Sequence, residues 1–233
     1  MLRKSNRAME LLMNSRKLLE ARVHTTTIQA VPRELIGPRV AAKERAQGRI
    51  PAVVFKRENG VAVSRKQLLT TERKQIVSVL KSFKEEPFFL SRTFRLQIRA
   101  GPGSCKLLES GNVLPIKVHR RPDNGEVLNL VFVWADEGSE LNVDVPIVFK
   151  GEECCPGIQK GGYLNKIRTS LKYLCPVDCI PPQIDVDLSS LDIGDRVFMK
   201  DIQVHSSLKL LSKNDNMPIC KIVATQSQVP LEA

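Results

Sequence analysis

The chain has 233 residues and carries 36 Lys and Arg against 25 Asp and Glu, a formal net charge of +11. This length allows one large domain or two of ordinary size, either with a sizeable core. No apolar run approaches the ~20 residues that a membrane span needs, so no membrane partner is expected. The positive charge lies in the N-terminal half: residues 1–57 sum to +9, residues 58–135 to +6 and residues 136–233 to −4. Such asymmetry favours a polyanionic partner for that half, because each neutralised phosphate releases counterions, although a solvated basic surface is an open alternative.

Cysteine usage fits a reducing compartment, since the six cysteines show no disulfide-framework spacing. Zinc is disfavoured, because neither Cys154–Cys155 nor Cys175 and Cys179 has the usual two-residue separation. We therefore expect buried thiols that act as small hydrophobic groups.

Residues 1–27 differ from the rest of the chain, with six cations against two acids and apolar residues near helical spacing. A basic amphipathic helix of this kind is typical of an organelle transit peptide. An ordinary N-terminal helix of the mature protein is the alternative.

From residue 28 to 135 most segments alternate or are short and apolar, which is typical of strands. A helical pattern interrupts them at Lys66–Phe83. Turn residues are predicted at Asn59-Gly60 and, as a hairpin, at Asp123-Asn124-Gly125. The predicted strands are Ile50–Phe55, Val61–Ser64, Phe94–Arg99, Val113–Val118 and Val127–Trp134. Another predicted strand, Leu141–Phe149, lies after residue 135.

A second β domain is predicted at 136–226, followed by a short tail at 227–233. Its predicted strands are Ile167–Leu174, Ile184–Leu188, Arg196–Met199 and Ile219–Ala224. The join near Ala135–Glu140 is short and charged, which favours two domains packed together. The fold class is therefore mainly β with minor α.

Catalytic motifs are not found in the sequence. The three histidines lie far apart, and no nucleophile-elbow, Walker-type or dinucleotide glycine pattern occurs. We predict that the chain is not an enzyme and needs no cofactor, metal or small-molecule substrate.

The candidate binding residues are basic and precede or follow strands. Arginine suits RNA because its planar fork binds phosphate oxygens or a guanine edge through two hydrogen bonds. Phe55 ends the first strand and is a candidate for base stacking, although such a residue is more often part of a core. The first cluster comprises Arg33, Arg39, Lys43, Arg45 and Arg49.

Two further basic sites follow. Arg120-Arg121 lies beside the predicted hairpin, where a solvated turn is the alternative. Arg92, Arg95 and Arg99 flank a third strand, and a spacing of four puts Arg95 and Arg99 on the same face.

The sequence RAQGRIPAVVF, Arg45–Phe55, resembles the opening motif of a bacterial family, large-subunit ribosomal protein L-twenty-five, also called general stress protein Ctc. The family pattern is Arg-x-x-Gly-Lys/Arg-x-Pro-Ala-Val-x-Tyr. Residues Val118–Phe132 resemble the family's second RNA-facing hairpin. The blocks Val145–Leu164 and Pro181–Ile202 resemble the C-terminal domain of its two-domain members.

This resemblance implies an N-terminal antiparallel β-barrel with one or two helices that binds the loop E region of 5S rRNA. It implies a second, mainly β domain that sits outward on the central protuberance of the large subunit. Arg33 and Arg45 match arginines that face the RNA, and Gly48, Arg49 and Pro51 match the turn into the barrel strand.

Three positions depart from the family: Phe55 replaces Tyr, Asn129 replaces His and Val131 replaces Asp. Loss of the Asp removes direct readout but leaves the phosphate contacts. We expect those contacts to come from Arg39, Lys43, Arg120 and Arg121, with Asn129 still at the RNA.

The expected function is a structural component of an organellar large ribosomal subunit, in a plant mitochondrial member of the family. Its partners would be 5S rRNA and neighbouring rRNA and proteins, and its location the mitochondrial matrix, with the plastid as the alternative. Other functions remain open: a stress-related RNA-binding protein outside the ribosome, or an accessory module that binds tRNA anticodons as in tRNA synthetases.

Overall fold

The computed structural model describes residues 26–224 except 59–60, 84, 203, 213 and 215, and omits the side chains of residues 57–65. The predicted transit segment lies almost wholly outside the described residues, as do the Asn59-Gly60 turn and the tail at 227–233. In the described part, no helix is long and apolar enough to cross a membrane.

Six strands close into a barrel in the first half of the chain, in the order β1-β3-β2-β6-β5-β4. Four of the six junctions are antiparallel, as the sequence predicts, whereas β1 with β4 and β2 with β6 are parallel. The strands are β1 (Thr27–Pro32), β2 (Arg49–Glu58), β3 (Val61–Glu72), β4 (Phe94–Arg99), β5 (Leu107–Arg120) and β6 (Val127–Trp134).

Alternation along the strands fills the barrel with apolar side chains. On β2, Ala52 and Val54 point inward, and on β6, Leu130 and Phe132 do the same. Three helices accompany the barrel: α1 (Pro38–Ala46), α2 (Arg73–Ser82) and α3 (Glu86–Leu90). The apolar side of α2 joins the barrel core, beside a cluster of the rings of Phe83, Phe89 and Phe94 at centroid separations of 4.8–6.0 Å.

The predicted helix at Lys66–Phe83 is wrong in its first seven residues, because β3 continues to Glu72. Leu69 and Thr71 face the barrel and pair with β2, and this ladder prevails over the local helical spacing. Helix α1 is not predicted at all, and the described barrel has three helices where one or two are expected.

The described residues of the second half form seven strands in two sheets that share one core. The four-stranded sheet has the order β10-β7-β9-β12, and the three-stranded sheet the order β11-β13-β8. A short helix, α4 (Pro156–Gln159), precedes β8. The strands are β7 (Glu140–Lys150), β8 (Gly162–Lys166), β9 (Ser170–Pro176), β10 (Ile184–Asp187), β11 (Arg196–Phe198), β12 (Lys209–Leu210) and β13 (Pro218–Ala224). The predicted fold class, mainly β with a barrel followed by a second β unit, is confirmed.

The two units pack directly against each other. Leu114 of β5 and Val133 of β6 point out of the barrel and are buried in the core of the second unit, where Phe55 also packs. The hydroxyl of Ser91, which is 1% exposed, donates to the carbonyl oxygen of Pro182 at 3.0 Å. These contacts fix where the second unit lies relative to the barrel wall that carries the basic cluster.

Candidate nucleic-acid interface

The neighbouring strands β3, β2, β6 and β5 form one continuous outer surface of the barrel, and helix α1 contacts β2. Val53 pairs with Leu68 of β3 and with Val131 of β6, and all three alternate with inward-pointing core residues. On β5, Lys117 pairs with Val131 and His119 pairs with Asn129, and both are exposed. We call this surface, together with α1, the α1 face.

Helix α1 carries two exposed cations that form no ion pair with the described residues. Gly37, with φ 133°, lies in a region that favours glycine, and Pro38 then starts the helix, where its missing N–H costs nothing. None of the residues of α1 is buried, so packing does not hold its side chains. Arg39 and Lys43 lie one turn apart, are exposed, and form no ion pair with the described residues.

Arg49 is placed in the cluster by the sequence, but its charge is neutralised. Gly48 has φ 76° and turns the chain from α1 into β2. The guanidinium of Arg49 then donates to both carboxylate oxygens of Glu44, from Nε at 2.5 Å and from Nη2 at 3.1 Å, and also to Gln47. The hydrogen bonds that Arg49 donates to Glu44 raise the pKa of Arg49, opposed in part by desolvation. This pair clamps the end of α1 to the start of β2.

The backbone of Arg45 is fixed by a hydrogen bond from Arg73, while its guanidinium keeps donors that can bind a partner. Its Nη1 reaches the carbonyl oxygen of Leu128 on β6 at a long 3.4 Å, and no carboxylate within the described residues binds its guanidinium. Its own carbonyl oxygen accepts from Nη2 of Arg73 at 2.6 Å. Arg73 also forms an ion pair with Glu126 at 2.8 Å.

Arg73 thus joins α1 to the β5–β6 hairpin, and sequence reasoning missed it. Its partners lie 28 and 53 residues away, so no local spacing signals its role. Glu126 also pairs with Arg121 at 3.4 Å, and this brings the second predicted basic site next to the first.

Both hairpin arginines have carboxylate partners. Arg120 donates to Glu86 at 2.7 Å and to the carbonyl oxygen of Gly125 at 3.2 Å. Arg121 shares Glu126 with Arg73. The structure therefore gives Arg120 and Arg121 a role in holding the hairpin shape.

Arg33 follows β1, and its backbone N–H donates to the carbonyl oxygen of Leu68 at 2.8 Å. Its Nε and Nη1 are buried and have no hydrogen-bond partner among the described residues. Buried donors without a hydrogen-bond partner are costly, so Arg33 leaves hydrogen-bonding capacity unused at the end of β1.

Phe55 packs with the second unit and not with the cations of the first basic cluster. It lies against the core of the second unit, with Nζ of Lys66 6.0 Å from its ring centroid. Asn129, in contrast, lies on the α1 face next to Leu128, the residue that Arg45 contacts.

The second unit neutralises much of its own positive charge. Lys150 contacts Asp185 at 2.6 Å and Lys160 contacts Asp192, and in each case the hydrogen bond from the lysine is the largest cause of a lowered pKa of the aspartate. Among the described residues, no group of three or more His, Cys, Asp or Glu is arranged to hold a metal ion. The surface suited to a polyanion is therefore on the barrel.

Comparisons with known proteins agree with this architecture. Residues 28–132 match the model of the Ribosomal L25p family, and residues 140–226 match that of Ribosomal protein TL5, C-terminal domain. The protein "Large ribosomal subunit protein bL25" of Anaplasma marginale (strain St. Maries) is 30% identical over 202 residues, which cover 86% of this chain and 84% of the relative. Its namesake in Anaplasma phagocytophilum (strain HZ) is 27% identical over 207 residues, covering 88% and 90%.

The fold and the site define a class of protein: a closed six-stranded barrel with an exposed basic face, joined to a second β unit. The chain belongs to the Ribosomal L25p family, in the form that carries a TL5-type C-terminal domain. The predicted family is thereby confirmed. This family is structural, in agreement with the prediction that the chain is not an enzyme.

Proposed function

We propose that this protein is a structural component of a large ribosomal subunit and that its α1 face binds 5S rRNA. The observation that carries the proposal is the division of the predicted arginines and lysine into two groups. Arg39, Lys43 and Arg45 have no carboxylate partner among the described residues. Arg49, Arg120 and Arg121 each have one, so the first group is free for phosphate and the second maintains the surface.

The two groups have different tasks in this proposal. Exposed Arg39 and Lys43 contact phosphates, where point charge is sufficient and sequence is not read. Arg45 and Asn129 lie where α1 meets β6, close enough to reach base edges as well as the backbone. Arg33 can reach RNA only through Nη2, because its Nε and Nη1 are buried. Phe55 contacts the second unit in place of a base.

The division of the chain follows the same reasoning. We propose residues 28–135 as the RNA-binding domain and residues 136–226 as an outward domain, because the latter segment has an excess of acidic residues. Relatives that bear the name of a large-subunit ribosomal protein support a ribosomal location. The basic segment 1–27 supports import into an organelle, with the mitochondrion ahead of the plastid.

A salt titration of 5S rRNA binding tests the α1 face. Removing two phosphate contacts with Arg39→Ala and Lys43→Ala lowers the slope of log affinity against log salt by about 1.4–1.8, since each contact contributes about 0.7–0.9. The matched control is Lys172→Ala with Arg196→Ala, which removes the same charge from exposed positions of the second unit. Equal slopes for the two double variants, or no binding of 5S rRNA by the native chain, would contradict the proposal.

Co-sedimentation separates the ribosomal role from the alternative of an RNA-binding protein outside the ribosome. The native chain should migrate with large subunits at moderate salt, and the Arg39→Ala, Lys43→Ala variant should migrate less. A chain that binds 5S rRNA but stays out of the large-subunit fraction would favour the alternative.

A further inference from the structure

A second surface of the barrel is basic and is not part of the α1 face. On β4, Arg95 and Arg99 alternate with Leu96 and Ile98, which point into the barrel core. The two arginines therefore lie on the outer face of the strand, as their spacing predicts. Neither forms an ion pair with any described residue.

The neighbours of Arg95 and Gln97 are polar and uncharged, whereas Arg99 pairs with Leu107, which is 50% exposed. Arg95 pairs across the sheet with Asn112 on β5 and with Thr27 on β1, and Gln97 pairs with Ser110 and Gln29. The nearest carboxylate along β5, that of Glu109, accepts a hydrogen bond from Gln67 at 2.7 Å. Amide and hydroxyl groups beside arginines are donors of the kind that bind phosphate oxygens.

The guanidinium groups on this face have many free donors. Nε of Arg95 reaches Ser110 Oγ only at 3.4 Å, and Nη2 of Arg99 reaches Gln97 Oε1 only at 3.4 Å, both at the long limit for a hydrogen bond. Nε of Arg99 is buried and has no hydrogen-bond partner within the described part of the chain. Apart from the buried Nε of Arg99, the guanidinium groups of Arg95 and Arg99 thus have donors for a partner that brings oxygen acceptors.

Barrel topology places this surface opposite β2, the central strand of the α1 face, and beside β5 at the edge of that face. In the ring order, β4 is three positions from β2 in either direction. Strand spacing and tilt in a six-stranded barrel put opposite walls roughly 12 Å apart. One RNA backbone that lies on β2 and β6 does not also cover β4.

We infer that the outer face of β4, with Arg95, Gln97 and Arg99, is a second site for an RNA sugar–phosphate backbone, distinct from the α1 face. The barrel then holds two RNA segments on opposite walls and acts as a spacer between them. RNA fits this surface better than an acidic protein does, because the strip offers cations and neutral donors and carries none of the aromatic anchors that are enriched in protein interfaces.

A mixed-sequence RNA duplex is the probe, so the test does not depend on 5S rRNA. The duplex is immobilised to capture the protein, and a second duplex with a different label is then added. The native chain recruits the second duplex. The variant Arg95→Gln, Arg99→Gln captures the first duplex but fails to recruit the second, and it loses about 1.4–1.8 from the salt slope of total binding.

Two control variants are used. One distinguishes binding at the α1 face from binding at β4, and the other measures the effect of lowering the net charge. Arg39→Gln with Lys43→Gln weakens the α1 face and leaves binding at β4, so a single duplex still binds. Lys172→Gln with Arg196→Gln removes the same charge from the second unit and leaves recruitment unchanged. A circular-dichroism melt checks folding, and Arg95→Gln alone, at an exposed position, serves if the double variant unfolds.

Results of three kinds would overturn the inference. The first is recruitment of the second duplex by the β4 variant as well as by the native chain. The second is recruitment of no second duplex by the native chain, or an equal loss in the second-unit control. The third is displacement of the β4-bound duplex by poly-glutamate at the same concentration as by unlabelled RNA, which would assign the strip to acidic polypeptides.

Discussion

Arg73 donates from Nη2 to the carbonyl oxygen of Arg45 at 2.6 Å, and this bond joins the first turn of α2 to the last turn of α1. The same guanidinium pairs with Glu126 of the hairpin, so one side chain connects three chain segments. The first basic cluster and the Arg120-Arg121 site, which the sequence indicates separately, are therefore parts of one surface. Its shape depends on a residue that contacts no RNA in the proposal.

Replacing Arg73 by Ala should lower the free energy of unfolding by about 1–2 kcal/mol, because hydrogen bonds to charged groups are lost and Glu126 keeps only Arg121 as a partner. Denaturant unfolding measures this change. Lys74→Ala on the same helix is the control, since Lys74 is exposed and makes no ion pair within the described structure. An equal effect of the two substitutions would show that the link through Arg73 contributes nothing.

Glu44→Gln should strengthen RNA binding by releasing Arg49 from its bidentate carboxylate partner. The expected change is an increase of up to about 0.9 in the salt slope, one additional phosphate contact. Glu34→Gln is the matched control, because it removes the same charge from the same segment at an exposed position. If both variants gain equally, net charge explains the effect and Arg49 does not reach the RNA.

Thiol reactivity should divide the six cysteines into two groups. Cys105, Cys154 and Cys179 are exposed, whereas Cys155, Cys175 and Cys220 are buried. Burial raises the pKa of Cys175 to about 11, with a smaller contribution from Cys179. An alkylating reagent at pH 8 should therefore label three thiols in the native chain and six after unfolding, as read by mass spectrometry. Rapid native labelling of Cys175 would contradict its burial.

The same pKa predicts a loss of stability at alkaline pH. The folded state holds the proton of Cys175 more tightly than the unfolded state, so this contribution is complete below the unfolded pKa and is lost as pH rises through about 11. The unfolding free energy of Cys175→Ala should depend less steeply on pH between about 9 and 11 than that of the native chain. Parallel curves for the two proteins would contradict a raised pKa of this thiol.

Strands with one side in the core are predictable from the sequence, and segments set by distant partners are not. Phe94–Arg99 and Val127–Trp134 match β4 and β6 residue for residue, because each strand has a core side. Helix α1 buries no residue and therefore leaves no amphipathic pattern to detect. The end of β3 was mistaken for helix because its pairing with β2 is nonlocal.

The candidate site shows the same limit. Residue type and spacing indicate which cations could bind phosphate. Whether a cation has a carboxylate partner in the fold decides if it is free to do so. Arg49 and Arg39 look equivalent in the sequence, yet only Arg49 has Glu44 as a partner, and the turn at Gly48 creates that contact. Arg73, with partners 28 and 53 residues away, required the fold itself.

A truncated chain ending at residue 135 should keep 5S rRNA affinity, since the residues of the α1 face all precede the cut. It should nevertheless be less stable and prone to association. Removing the second unit exposes Phe55, Leu114 and Val133, and it leaves the Ser91 hydroxyl only its longer hydrogen bond, to the carbonyl oxygen of Phe88. Each apolar side chain returned to water costs about 1.5–3 kcal/mol if fully exposed, an upper bound for Phe55, which is already partly exposed.

Polar replacement of the newly exposed apolar residues distinguishes association of the truncated chain from a change in its RNA binding. In the truncated chain, Leu114→Asn with Val133→Thr should restore monomeric behaviour in light scattering and leave the RNA salt slope unchanged. In the full chain the same pair should destabilise, because it places polar groups in a shared core. A folded, monomeric truncated chain that fails to bind 5S rRNA would show that the second unit supplies contacts, since the barrel face would then be intact without being sufficient.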